Sequence, residues 1–144
     1  MEFDLPGIDV KTLADTGVWM TVKQFDSDEP LLDKKGKPVR LKLLGPDSDV
    51  YRDFARAQIR KRLTNDAAGT TQAVPDFDDI DRETNILFAK LTVAWEGINS
   101  TDGKPVPYTQ EDALKLFAAF PVLREQLDRF VNERANFLKA SSKS

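Results

Sequence analysis

The strongest constraint on the fold of this 144-residue chain is a change of hydrophobic period along it. In the first third, Val18-Trp19-Met20-Thr21-Val22-Lys23 alternates, with Val18, Met20 and Val22 on one face. Pro38-Val39-Arg40-Leu41-Lys42-Leu43 alternates as well, with Val39, Leu41 and Leu43 inward. Side chains on a strand change face at every residue, so each run reads as a half-buried strand. Residues 26–36 between them are rich in Asp, Pro and Gly, which makes the pair a β-hairpin. After Gly45-Pro46-Asp47-Ser48, apolar residues recur every three or four positions, which is helical spacing. A hairpin alone is marginal in water and needs a helical body to pack on. The expected class is α+β: a mainly helical domain of four principal helices with an N-terminal β-hairpin.

The helical boundaries follow from caps and breakers. Asp9 can cap a single turn at residues 9–14 that Gly17 stops. Asp47 or Ser48 can cap the next helix, expected to run to about Leu63. Its row of Tyr51, Ala55, Ile59 and Leu63, beside Val50 and Phe54, reads as the buried stripe. Residues 64–81 have no apolar period and hold Gly69, Pro75 and the carboxylates Asp76, Asp78, Asp79 and Asp81, as a mobile acidic linker would. Asp79 or Asp81 can cap a third helix carrying Leu87, Phe88, Leu91, Ala94, Trp95 and Ile98 on one face. Ile86 and Val93 lie seven apart on another face of it, so a partner could cover them. Thr109 caps a fourth helix, with Tyr108 and Ala113 in staple positions. Pro121 ends that helix at Phe120 and opens the last, expected to reach about Leu138. The organisation is then 1–63 as hairpin plus arginine-rich helix, 64–81 as linker, 82–139 as the C-terminal helical part of the same domain, and 140–144 as a polar tail.

The chain has no Cys and no His. Disulfides, zinc-thiolate sites and thiol nucleophiles are excluded, and the commonest general base is missing. The four linker carboxylates lack the central Gly and the twelfth-position Glu of a calcium loop. Gly97 and Gly103 are too isolated to cradle a phosphate. The expectation is therefore a protein that is not an enzyme, with no catalytic, cofactor or metal site. Met1-Glu2-Phe3-Asp4 opens no signal peptide, and no apolar run is long enough for a bilayer span.

Charge is the one ordered polar feature. Residues 34–62 carry ten Lys/Arg against three Asp/Glu, within a chain of net charge −3. Arg52, Arg56 and Arg60 form an i,i+4 row on the second helix. Such a row can grip carboxylates bidentately or track phosphates, and its default state is a solvated face paired with Asp49 and Asp53. No aromatic interleaves the arginines, which ranks nucleic acid behind an acidic protein partner. Phe137 and Leu138, at the end of the last helix, are the expected apolar anchors for a partner. The candidate partner-binding set is thus Arg52, Arg56, Arg60, Ile86, Val93, Phe137 and Leu138.

Taken in order, Gly17-Val18-Trp19, Lys37-Pro38-Val39-Arg40-Leu41, Gly45-Pro46-Asp47-Ser48 leading to Tyr51, Ala94-Trp95-Glu96-Gly97, Pro107-Tyr108-Thr109 and Arg134-Ala135-Asn136-Phe137 resemble a tail assembly chaperone of the long-tailed bacteriophages. The resemblance spans residues 17–138 and rests on order and spacing. It implies a non-enzymatic protein of the host cytoplasm, made during assembly and absent from the finished particle. It implies binding of the tape measure protein, a long helical chain kept soluble in this way, with tail tube subunits and a second copy of the chain as further partners. No cofactor and no membrane enter that role. The competing readings are another tail structural or morphogenesis subunit and a DNA-binding regulator.

Overall fold

The computed structural model describes residues 5–67 and 77–138. Within them the chain forms five α-helices and one three-stranded antiparallel sheet, the α+β class that the change of period implies. The order is α1 (Lys11–Thr16), β1 (Val18–Thr21), β2 (Arg40–Leu43), α2 (Asp49–Ala67), α3 (Phe77–Leu91), β3 (Thr92–Glu96), α4 (Gln110–Ala119) and α5 (Pro121–Asn132). Short 3-10 turns occur at Pro6–Ile8 and Arg134–Phe137.

The hairpin forms as expected. Val18 pairs with Leu43 and Met20 with Leu41, so Met20, Val22, Val39, Leu41 and Leu43 share the buried face. The connecting loop is tied in by Leu31 N–H donating to Val22 O and Val39 N–H donating to Leu31 O. Phe88 and Leu91 of α3, Phe117 of α4, and Leu127 and Val131 of α5 complete the core. Thr109 caps α4 by accepting from Asp112 N–H at 3.0 Å, and Phe120 leaves helical geometry immediately before Pro121, again as expected.

The third helix is shorter than its periodicity implies. It stops at Leu91, and residues 92–96 form β3 on the free edge of β2. A two-stranded hairpin leaves the outer N–H and C=O groups of β2 unpaired, and β3 satisfies them. Thr92 and Val93 are β-branched and stiff at χ1, which favours this switch. The register passes from Lys42↔Ala94 to Leu43↔Thr92, leaving Val93 as the extra residue of a bulge. Thr92 and Trp95 can therefore both face the core although they are three residues apart. Spacing of three or four is also what a helix would show, and that is why the segment reads as one. Gly97 ends β3 at φ +79°, where a Cβ would lie 2.9 Å from Pro38 O, so only glycine lets the chain pass there.

Two further boundaries differ from expectation. Helix α2 continues to Ala67 and α3 opens at Phe77, so the edges of the expected 64–81 linker are helical. Asp79 and Asp81 then sit inside the first turns of α3 instead of capping it. Residues 68–76, 1–4 and 139–144 lie outside the described residues, and with them the centre of the linker and the polar tail. The last helix ends at Asn132, not near Leu138: Glu133 is extended, and the chain turns back through Arg134–Phe137.

Candidate partner-binding surface

Helix α2 is anchored most firmly at its start. Ser48 is fully buried, donates to Gly45 O at 2.6 Å and accepts from Tyr51 N–H at 3.2 Å, so it is the N-cap. Asp47 beside it keeps only 10% of its side-chain surface. Arg134 holds that carboxylate bidentately at 2.9 and 3.1 Å, and Arg52 reaches it at 3.4 Å. This clamp fixes the start of α2 against the C-terminal segment. Tyr51, Phe54 and Ala55 are half-buried in the next turns.

Beyond Ala55 the stripe leaves the core. Ile59 is 57% and Leu63 62% exposed, so the second half of the expected buried row is surface. Between Ala55 and Thr64 the helix carries Arg56, Arg60, Lys61 and Arg62 and no carboxylate. Arg56 pairs with Asp53 at 3.2 Å and Lys61 with Glu83 of α3 at 3.5 Å, while Arg60 has no ion pair among the described residues. Residues three apart on a helix are neighbours. Ile59 therefore lies between Arg56 and Arg62, and Leu63 beside Arg60. The result is an exposed apolar row framed by cations.

The sequence-derived residues divide sharply. Arg56 and Arg60 stay on this exposed segment, and Arg52 is an anchor for Asp47 as well as a surface charge. Ile86 is half-buried on α3 and Val93 is exposed on the bulge of β3, so they share no helical face. Phe137 is fully buried, which overturns its expected role as an exposed anchor. Its ring packs edge-on to Phe130 at 5.8 Å and closes over Gly45, where a Cβ would meet it at 3.0 Å. Leu138 follows it and is half-buried. Ile59 and Leu63 were legible as surface in one respect: the apolar face of α2 narrows from Val50, Tyr51, Phe54 and Ala55 to one residue per turn.

A second surface lies between the hairpin loop and α5, a groove of about 930 Å³ lined in part by Met20, Phe25, Val122 and Phe130. Phe25 is 83% exposed at its rim. Gln126 closes one side of it by accepting from Lys23 N–H and donating to Lys23 O, which caps the edge of the sheet. Lys23 and Arg129 oppose Asp26, Asp28 and Glu125 there, so the groove favours neither sign of charge. Nothing in sequence spacing pairs residues 20–28 with α5.

The perturbed titrations are local and structural. The Lys11 ammonium, hydrogen-bonded to Asp15, holds that carboxyl below its usual range. Backbone N–H groups, Lys37 foremost, do the same for Asp33, and the Ser100 hydroxyl for Asp102. Burial raises the Tyr108 phenol, which donates to Ala89 O at 2.9 Å. Among the described residues no three carboxylates are placed to hold a metal ion, and no helix is long and apolar enough to cross a membrane. The chemistry on offer at α2 is contact: apolar burial framed by guanidinium groups.

The family model described as YdaY prophage protein matches residues 47–144, more than half of the chain, and includes both partners of the Asp47–Arg134 clamp. No curated protein and no solved structure matches.

Proposed function

The chain belongs to the YdaY prophage protein family and is phage-derived; from that premise we propose that it is a tail assembly chaperone that binds the tape measure protein. It acts in the host cytoplasm without catalysis or cofactor, keeping a long helical chain soluble until tail tube subunits assemble around it. The observation that supports this reading is apolar surface the core leaves unused, Ile59 and Leu63 on the distal half of α2. A holding chaperone must cover apolar residues of its client, and it does so with apolar residues of its own.

Co-expression with a tape measure protein from the same phage genome tests the reading. The expected result is a soluble tape measure recovered with this chain in a pull-down. A tape measure equally soluble without this chain, and no complex, sinks the proposal. Retention of duplex DNA with steep salt dependence would put the regulator reading in its place. Presence in mature virions would favour a structural tail subunit.

A further inference from the structure

We infer that the distal half of α2, residues 55–63, is the seat for an acidic amphipathic helix of the partner chain. Such a helix lays its apolar row on Ile59 and Leu63 and sets carboxylates against Arg56, Arg60 and Arg62. The inference deepens the chaperone reading and rests on it only for the identity of the partner.

Three occupants can be compared on chemistry. A nucleic-acid backbone would use the cations but offers no apolar surface to the Ile59–Leu63 row at their centre. A second copy of this chain would have to bring carboxylates from the hairpin loop, where Asp26, Asp28 and Glu29 lie on no helix to supply an i,i+4 apolar row, or from the acidic start of α3. Its Asp79 and Asp81 are already engaged by Arg82 and Arg124, and Glu83 by Lys61. An acidic amphipathic helix satisfies both features at once. Its own i,i+4 apolar row matches the spacing of Ile59 and Leu63, and flanking carboxylates meet cations on both sides of that row. Arg60 has no intramolecular carboxylate to give up among the described residues. Guanidinium groups grip carboxylates in fork geometry, so the flanks select sign as well as position.

The selected segment is also preorganised. Arg, Lys, Gln and Leu are strong helix formers, the Ser48 cap and Asp47 clamp fix the first turn, and the Lys61–Glu83 pair steadies the far end against α3. A partner therefore meets a formed helix and loses no free energy to ordering it.

The test uses the full chain and two synthetic helices of about three heptads each, with Leu at the a and d positions. One carries Glu at e and g, the other Lys. Binding is read by fluorescence anisotropy, and circular dichroism checks the fold of every variant. The Glu helix should bind at least about tenfold more tightly than the Lys helix. Ile59→Asp with Leu63→Asp should abolish binding of the Glu helix. Arg60→Glu with Arg62→Glu should weaken the Glu helix and strengthen the Lys helix, a reversal that loss of fold cannot produce. Equal binding of both helices, no binding of either, or binding unchanged in the Ile59/Leu63 variant overturns the inference. So does a concentration-dependent dimer that the same variant dissolves, since a second copy would then own the surface. A parallel pull-down separates the two levels. Tape measure retained undiminished by the Ile59/Leu63 variant overturns this seat and leaves the chaperone reading standing. Glu-helix binding without tape measure recovery does the reverse.

Discussion

The C-terminal turn Arg134–Phe137 and the distal half of α2 are built from similar parts, large apolar side chains next to arginines, and they end in opposite environments. Phe137 is fully buried and Arg134 is bound to a nearly buried carboxylate. Ile59 and Leu63 are exposed, and Arg60 faces solvent. What separates the segments is the availability of a complement. Gly45 and Ala14 leave a hollow that a phenyl ring fills, and Asp47 stands at its rim. Nothing among the described residues offers a hollow to Ile59 or an acid to Arg60. Composition marks a segment as able to bind, and the rest of the fold settles whether it binds inside the molecule or outside it.

Phe137→Ala breaks the comparison most strongly. Emptying that hollow should cost about 3–5 kcal/mol, read from the urea midpoint, and a midpoint equal to wild type would place Phe137 on the surface after all. Arg134→Ala comes next. Asp47 keeps Arg52 at 3.4 Å but loses its bidentate partner, so the expected loss is about 1–3 kcal/mol. The double substitution Ile59→Asp with Leu63→Asp should change stability by no more than about 0.5 kcal/mol per site, because neither side chain is packed. A larger drop in thermal midpoint would show that the distal half of α2 belongs to the core. Both segments lie outside the smallest effect. Asp15, Asp33 and Asp102 titrate below the ordinary value of 3.8 when folded. The contribution of each is complete above that value and is lost as pH falls through its lower folded pKa. Denaturation midpoints should hold from pH 7 to about pH 5 and decline modestly below about pH 4, since Asp15 and Asp102 are exposed and Asp33 is only half-buried. Rising stability on acidification would contradict the sign.

Local sequence determined a good deal of this protein. The two alternating runs gave the hairpin and its inward face, because strand sidedness follows from the chain alone. Thr109 and Pro121 placed helix starts, and Asp47-Ser48 placed the start of α2 to within a residue, because caps and proline geometry act within four residues. The α+β class and the arginine row were legible for the same reason. What the tertiary structure decided were the matters that depend on a distant partner. Residues 92–96 became a strand because β2 had an open edge, and a bulge at Val93 allowed helical spacing to serve a sheet. The last helix stopped at Asn132, and its expected final turns folded back because Gly45 left room for Phe137 and Asp47 called for Arg134. The α2 stripe was surface in its second half, where α3 meets the helix through the Lys61–Glu83 pair and leaves Ile59 and Leu63 exposed. Periodicity reports which side of an element is apolar. Whether that side is covered is a property of what else arrives there.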